Sequence, residues 1–230
     1  MTDTFDKAIS HHQDLAAGWD ARYQSGSFKR RANFFRESVR PVLEPNGRWL
    51  DAGCGSGYFA RILAESGAAV HGIDGASDMV QAARSAARDH PAMDRLSFEL
   101  VETIERLPFE DASFDGVLSL SVLEYVPDPQ QALAEMARVL RPGGQLVVSI
   151  PNTGSLIRAL AALRQRLRRQ SAGGSAYLES SHFTVRRAEI APMLNRHGMA
   201  LQSLHPCDPS LYGLLARISP NLYFITARRA

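Results

Sequence analysis

The residues best placed to do chemistry in this sequence are two acids and three glycines in its first third. Asp51, Gly53, Gly55 and Gly57 follow a short apolar segment, and a helix-like segment comes after them. Asp74 ends a second apolar segment, 21 positions after Gly53. Glycines spaced two apart let a ligand reach the backbone amides of a turn. An acid about 20 residues later can accept hydrogen bonds from both hydroxyls of a ribose, so the pattern predicts a nucleoside-containing ligand.

The glycine spacing distinguishes between two classes of nucleoside ligand. A dinucleotide-binding turn has the pattern G-x-G-x-x-G, whose third glycine lets the helix pack closely on the strand. Counted from Gly53 that position is Tyr58, and counted from Gly55 it is Ala60. The G-x-G-x-G pattern after Asp51 instead resembles the first motif of class I methyltransferases that use S-adenosylmethionine. The resemblance implies that the turn passes beneath the methionine and ribose of this cofactor, with Asp51 near its ammonium group.

Later segments carry the same resemblance, which covers roughly residues 45–205. Residues 105–115 resemble the block with Leu-Pro-Phe and Phe-Asp before the fourth strand, and 140–144 resemble the turn before the fifth strand. Residues 101–105 and 123–129 are most similar to the O-methyltransferases of ubiquinone biosynthesis and their relatives. The resemblance implies an S-adenosylmethionine-dependent enzyme that methylates a small molecule at a hydroxyl oxygen.

Two positions depart from the family pattern. Many relatives place an acid facing the adenine amine where this chain has Thr103, and Glu102 lies one position away. Adenine is therefore expected to contact Thr103 or the backbone of Ile104. The quinone-type enzymes have a histidine, their favoured candidate base, where this chain has Tyr125. The resemblance therefore implies neither that base nor the quinone substrate.

The acceptor is expected beyond the fourth and fifth strands, because a doubly wound sheet binds ligands at the carboxyl ends of its strands. This nominates Ser119, Glu124, Tyr125 and Asn152, with His182 reaching in from a variable region. A general base adds about 10²–10⁴-fold if the acceptor has a proton to lose. His182, Tyr125 and Glu124 are the predicted catalytic residues, and a structural role is the competing interpretation of His182. The predicted cofactor-binding residues are Asp51, Gly53, Gly55, Gly57, Asp74, Thr103, Ile104, Ser119 and Tyr23.

Strand and helix patterns alternate along the chain, which is typical of a parallel sheet covered on both faces. The predicted strands are 48–52, 69–74, 96–101, 114–120, 145–150, 199–205 and 221–228. The predicted helices lie near 58–66, 77–89, 128–140, 155–169 and 184–198, with Ser77 or Asp78 and Thr184 as caps. The fold class is α/β: a doubly wound, seven-stranded, mostly parallel sheet of the Rossmann-like methyltransferase type, ending in an antiparallel pair.

The regions outside the sheet are predicted to cover it. Residues 1–45 form an N-terminal helical cap on a methyltransferase domain of 46–230, with a helical lid insertion at about 152–183. Trp19 and Tyr23 in the cap either cover the cofactor or belong to the core.

The segment 155–169 is predicted to be an arginine-rich helix with one leucine face. Three interpretations stay open: a lid over the acceptor pocket, a contact with a membrane surface, or a site for an anionic substrate or a partner. The leucines are Leu156, Leu160, Leu163 and Leu167, and the arginines are Arg158, Arg164, Arg166, Arg168 and Arg169.

Composition limits the partners and the compartment. The net charge of +2 among 230 residues argues against a general nucleic-acid binder. Cys54 and Cys207 form neither a disulfide framework nor a zinc site, and no metal is predicted, although Glu124 and Asp128 near the expected acceptor keep metal assistance open. The sequence shows no signal peptide and no apolar run long enough for a bilayer, so the cytoplasm is the expected compartment.

The sequence is also compatible with functions outside small-molecule O-methylation. The glycine turn alone fits a tight strand–helix connection that binds nothing, in which the acid caps a helix. A nicotinamide-dependent oxidoreductase would bind NADH, and the missing third glycine argues against it. A non-catalytic subunit that only binds the cofactor, and an enzyme that methylates nitrogen or carbon, both fit the same motifs. The oligomeric state is not predicted.

Overall fold

The computed structural model describes residues 18–156, 158–160, 182–207 and 219–230. The chain enters through a 3-10 helix at Trp19–Gln24 and helix α1 at Gly26–Phe34. One π-helical turn at Phe35–Val39 and a short 3-10 turn at Arg40–Val42 continue this helical segment. Helical structure is therefore observed over most of residues 19–42 of the predicted N-terminal helical region, and residues 1–17 lie outside the described part.

Seven strands form one sheet in the order β3-β2-β1-β4-β5-β7-β6. Neighbours pair in parallel from β3 through β5, and β7 is antiparallel to both of its neighbours. The predicted doubly wound, mostly parallel sheet with an antiparallel pair at its end is confirmed. The strands are β1 Arg48–Ala52, β2 Ala69–Asp74, β3 Leu96–Leu100, β4 Phe114–Leu120, β5 Leu140–Pro151, β6 Met199–Cys207 and β7 Leu222–Arg229.

Helices cover both faces of the sheet, and each face has its own apolar core. The helices after α1 are α2 Tyr58–Glu65, α3 Ser77–Arg88, α4 Pro129–Val139 and α5 Arg187–Asn195. Leu133 and Met136 of α4 and Ile190 of α5 pack in one buried cluster with β1, β4 and β5. Phe59 of α2 and Val80 of α3 belong to the cluster on the opposite face. Burial on both faces explains why the central strands read as continuous apolar runs.

One predicted helix cap and one predicted helix start are wrong. Helix α3 has Ala76 at its N-cap position, so neither Ser77 nor Asp78 caps it. Helix α5 begins at Arg187 instead of Thr184, because Val185 pairs with Asn152 in an isolated bridge and keeps the backbone extended. The carboxylate of Glu189 then accepts a hydrogen bond from the Arg186 N–H at 2.8 Å, which marks the true start.

The predicted lid and basic helix fall mostly on residues 157 and 161–181, which lie outside the described part of the chain. Of its leucine face, Leu156 and Leu160 are described, and both are exposed. Over the described ranges, no helix combines the length and the apolar character needed to cross a bilayer.

Candidate active site

A cleft lies at the edge of the sheet where the strand order reverses between β1 and β4. In doubly wound folds this is the position where ligands bind. The segments after β1, β2 and β3 supply Asp51, Gly53, Cys54, Gly55, Asp74, Gly75, Ala76, Val101, Glu102, Thr103 and Ile104. The N-terminal helices, α2 and the segment after β4 supply Trp19, Tyr23, Phe28, Arg31, Phe59, Leu120, Ser121, Val122, Tyr125 and Val126.

Three glycines of the turn after β1 have positive φ, but their surroundings differ. A Cβ on Gly53 would meet the side chain of Val122 at 2.3 Å, so this position must be glycine for packing. A Cβ on Gly57 would meet Phe98 at 2.8 Å, on the side away from the cleft. At Gly55 the nearest atom to such a Cβ is Trp19 Nε1 at 3.9 Å, so this glycine leaves room inside the cleft.

Asp74 at the end of β2 is held by two backbone N–H groups. Its Oδ2 accepts a hydrogen bond from Gly55 at 2.8 Å, and its Oδ1 accepts one from Ala76 at 2.9 Å. Each carboxylate oxygen has further acceptor capacity. The carboxylate therefore lies in a fixed orientation beside the turn, with oxygens that can accept hydroxyl donors of a ligand.

Asp51 at the end of β1 is buried and has one oxygen without a hydrogen-bond partner in the described structure, Oδ2. The backbone N–H of Ala60 in α2 bonds the carboxylate, as in a helix cap. Burial, reinforced by the negative charge of Asp74, raises the pKa of Asp51 to about 8. A buried acceptor without a partner is costly, and a cationic group in the cleft would satisfy it.

The N-terminal segment is fixed over the glycine turn by a buried arginine. Asp20 accepts hydrogen bonds from Ser56 Oγ and from the Arg61 guanidinium, each at 2.5 Å. Arg61 also donates to the Ser56 carbonyl at 2.8 Å. These contacts place Trp19 beside Gly55. In the same segment, the ring of Tyr23 stacks on that of Tyr58 with 3.9 Å between the ring centres.

The segment after β3 closes the cleft next to β2. Thr103 and Ile104 both line it, together with Glu102. The Thr103 hydroxyl is engaged locally, because it accepts the Glu105 N–H at 3.1 Å and donates to the Glu105 carboxylate at 3.0 Å. Ile104 is buried and gives this part of the cleft an apolar surface.

The segment after β4 brings an acid, a tyrosine and an arginine together. Tyr125 lines the cleft, while its neighbour Glu124 is buried and is not among the lining residues. Burial raises the pKa of Glu124 to about 6, and the positive charges of Arg31 and Arg158 limit that rise. Arg31 donates a hydrogen bond to Ser121 Oγ at 2.6 Å on the wall of the cleft.

Three residues nominated from the sequence have structural contacts outside the cleft lining. The hydroxyl of Ser119 donates to the Ala52 carbonyl at 2.8 Å, which ties β4 to β1. Asn152 donates to the Pro220 carbonyl at 2.9 Å and accepts the Gly154 N–H at 3.0 Å. Their side chains therefore support the strand ends. Gly57 is the third, since it packs against Phe98 away from the cleft.

His182 is also outside the lining of the cleft. Its side chain is exposed, and its Nε2 bonds the Val126 carbonyl at 2.8 Å. Since a carbonyl only accepts, Nε2 carries the proton. The backbone N–H of His182 donates to the Glu124 carbonyl at 3.0 Å. The structure thus favours the structural interpretation of this histidine over the catalytic one.

Sequence reasoning missed Phe28, Arg31, Ser121 and Val122 in the lining. The rule that ligands lie beyond strand ends favours Ser121, which directly follows β4, over Ser119, which lies within the strand. No local pattern marks Arg31, because its partner Ser121 lies 90 positions away in the chain.

Comparison with known proteins decides the family. Residues 50–148 match the family model described as "Methyltransferase domain". The ubiquinone biosynthesis O-methyltransferase of Xanthomonas axonopodis pv. citri is 34% identical over 172 residues, which is 73% of this chain and 69% of that protein. The chain belongs to the S-adenosylmethionine-dependent methyltransferases. The expectation of a methyltransferase that uses S-adenosylmethionine is confirmed.

Solved structures show the same fold for this methyltransferase. A Haloferax volcanii methyltransferase, solved with the Trm112 activator, has a TM-score of 0.72 at 21% identity, with 94% of this chain and 96% of that chain covered. The magnesium protoporphyrin IX methyltransferase of Synechocystis, solved with S-adenosylhomocysteine, has a TM-score of 0.63 at 18% identity, covering 89% and 83%. The chain spans only about a third to a half of the length of some other curated relatives, 32% to 51%.

Gly55→Ala is expected to weaken the binding of S-adenosylhomocysteine to this methyltransferase by about 10-fold to 100-fold. The reason is that the added Cβ would occupy space that the bound ligand needs. The matched control is Gly143→Ala, because Gly143 has φ +77° against +53° for Gly55 and nothing within 4 Å of its added Cβ. Both variants should lose about 1–2 kcal/mol of stability from backbone strain. Titration calorimetry and thermal unfolding separate the two effects, and equal affinities for the two variants would contradict this role of Gly55.

Proposed function

We propose that this chain transfers the methyl group of S-adenosylmethionine to a hydroxyl oxygen of a small molecule. The observation that carries the proposal is the cleft between β1 and β4, in which one wall offers oriented carboxylates and the other offers aromatic rings with a tyrosine and a buried acid. Curated relatives named for O-methylation support the choice of oxygen, among them the Xanthomonas enzyme and a malonyl-[acyl-carrier protein] O-methyltransferase of Serratia marcescens.

The cleft fits the cofactor in its charge and its shape. The Oδ2 of Asp51, which has no hydrogen-bond partner among the described residues, is suited to an ammonium group. The oriented carboxylate of Asp74 is suited to a pair of ribose hydroxyls. Gly55 leaves the space that a ligand passing over the turn needs. Thr103 and Ile104 would flank the adenine, while Tyr23, Trp19 and Phe28 line the side of the cleft formed by the N-terminal helices. When bound, S-adenosylmethionine supplies an activated methyl group on a sulfonium.

The protein must then orient the acceptor and remove its hydroxyl proton. Orientation accounts for about 7–11 kcal/mol of a barrier in favourable cases. Tyr125 is the side chain of the pair that faces the cleft, and its neighbour Glu124 is buried with a pKa of about 6. We assign the proton to this pair: the acceptor hydroxyl gives its proton to the Tyr125 oxygen as Tyr125 passes its own to the Glu124 carboxylate.

The pH dependence of turnover tests this route. Because Glu124 acts as the base, it must be ionised, so kcat should rise with pH through about 6 and then level off. Glu124→Gln is expected to lower kcat by about 10²-fold and to abolish the rise. Tyr125→Phe should lower kcat similarly, while the affinity for S-adenosylhomocysteine stays unchanged. A rise at pH 6 that persists in Glu124→Gln would remove Glu124 from the mechanism.

Product analysis tests the choice of acceptor atom. The protein is incubated with S-adenosylmethionine and a panel of phenols, catechols, carboxylic acids and amines, and the products are examined by mass spectrometry and NMR. The proposal predicts methyl ethers or methyl esters. Methylation confined to nitrogen or carbon would contradict it, and so would the absence of product from every hydroxyl compound when an amine reacts.

A further inference from the structure

The charged residues that line the cleft are unevenly distributed. Asp51, Asp74 and Glu102 all lie on the wall formed by the segments after β1, β2 and β3. Arg31 is the one Lys or Arg side chain among the described lining residues, and it lies on the wall next to the segment after β4. Because β2 and β3 lie on one side of β1 and β4 lies on the other, Asp74 and Glu102 are separated by β1 from Ser121, the residue that anchors Arg31.

Arg31 is held in a defined position by its neighbours. Its guanidinium donates to Ser121 Oγ at 2.6 Å and lies 4.9 Å from the ring centre of Phe28. Ser121 itself has φ +59°, and its N–H donates to Ser149 Oγ at 2.8 Å, so the hydroxyl that anchors Arg31 sits on a constrained turn. A guanidinium that is stacked and hydrogen-bonded in this way loses little freedom when it binds an anion.

We propose that Arg31 and Ser121 bind an anionic oxygen of the acceptor, so that the acceptor class is a hydroxylated compound bearing an acidic group such as a carboxylate. This proposal rests on the proposed function, because it names the acceptor of the same cleft. The negative wall suits the cationic cofactor, and the guanidinium of Arg31 suits an anion opposite it. Phe28 and Trp19, packed edge to face at 5.7 Å, present an apolar surface to the body of the acceptor.

A purely structural role for Arg31 makes a different prediction. Arg31 also lowers the pKa values of Glu124 and Tyr23 by its charge, so it could serve only as a counter-ion for the buried acid. In that case its loss would change the pH dependence of turnover but would not change which acceptors bind. A preference for anionic acceptors is therefore the property that separates the two roles.

The test measures binding to the complex of the protein with S-adenosylhomocysteine, so that it needs no turnover. The probes are hydroxylated aromatic and aliphatic carboxylic acids, each paired with its primary amide, and the measurement is titration calorimetry. We expect the wild type to bind at least one acid about 10-fold to 100-fold more tightly than its amide. Arg31→Gln should remove this preference, and Arg31→Lys should keep part of it. Arg30→Gln, an exposed neighbour on the same helix, is the matched control and should behave like the wild type.

Equal affinities for every acid and its amide in the wild type, including no measurable binding by any acid, would overturn the proposal. A preference that survives Arg31→Gln would overturn it as well. If Arg31→Gln does not fold, Ser121→Ala decides, because it removes the anchor of the guanidinium and should reduce the preference severalfold. A failure of the proposed O-methylation would give a different result. Acids would still bind through Arg31, but product analysis would find no methyl ether or ester.

Discussion

Replacing Asp74 with alanine is expected to weaken the binding of S-adenosylhomocysteine by about 10²-fold to 10⁴-fold. Two hydrogen bonds from ribose hydroxyls to a carboxylate are worth about 1.5–3 kcal/mol each. The variant also removes the acceptor that orients the N–H groups of Gly55 and Ala76. Titration calorimetry measures the loss directly, and thermal unfolding of the ligand-free variant reports whether the turn itself is disturbed.

Asp78→Asn is the matched control for the change in charge. Asp78 is exposed in the first turn of α3, four positions after Asp74, and does not line the cleft. Its replacement should change the affinity for S-adenosylhomocysteine by no more than about twofold, because solvent screens the effect of an exposed charge on the ligand. If Asp74→Ala loses no more affinity than Asp78→Asn, Asp74 does not contact the cofactor.

Asp51→Asn is expected to weaken cofactor binding while it stabilises the ligand-free protein at alkaline pH. The folded-state pKa of Asp51 is about 8, above the ordinary 3.8, because burial and the charge of Asp74 disfavour the ionised form. A raised carboxyl pKa makes the folded state bind the proton more tightly than the unfolded state. The contribution of Asp51 to stability is therefore greatest at low pH and falls as pH rises between these values, by up to about 1.4 kcal/mol per pH unit.

Unfolding as a function of pH checks the sign of this effect. Between pH 5 and about 8 the wild type should lose stability more steeply than Asp51→Asn, and the variant should be the more stable protein above about pH 8. Identical pH profiles for the two proteins would contradict the raised pKa.

The binding of S-adenosylhomocysteine beside Asp51 should also release a proton to the solvent. At pH 7 both Asp51 and an α-amino group, whose pKa is about 8, are mostly protonated, and an ammonium beside Asp51 favours the carboxylate. Calorimetry in buffers of different ionisation enthalpy should therefore detect nearly one proton released by the wild type. Asp51→Asn should release no proton. Its affinity for S-adenosylhomocysteine should fall by about 10-fold to 100-fold, because it loses a hydrogen bond between two charged groups.

The sequence predicted that Asp51, Gly53, Gly55 and Asp74 come together at one cleft, because the determinants of this arrangement are local. The bend after β1 needs glycine at Gly53, where any Cβ would strike Val122, and the carboxyl ends of adjacent parallel strands bring Asp51 and Asp74 to one edge. Apolar runs and the spacing between them are sufficient to predict this bend and the shared position of the two acids. The parallel strands and the antiparallel pair that follows them are predicted from the same patterns.

The acceptor side could not be predicted in the same way, because its contacts join distant segments. The type of His182 and its place before a helix predict a catalytic residue, yet its ring bonds a carbonyl 56 positions away. The position of Ser119 near the end of β4 predicts a ligand contact, yet its hydroxyl donates to the Ala52 carbonyl. Whether a side chain faces a ligand or supports a neighbouring strand depends on tertiary packing, which short motifs do not encode.

The central claim is that the turn after β1 and the carboxylate of Asp74 hold one adenosyl group between them. A crystal structure of the wild type with S-adenosylhomocysteine tests it most directly. We expect both ribose hydroxyls within hydrogen-bond distance of the Asp74 oxygens, about 2.5–3.0 Å, with the ligand passing over Gly55 and its amino group beside Asp51. A ligand bound elsewhere, or a ribose with no contact to Asp74, would contradict this claim.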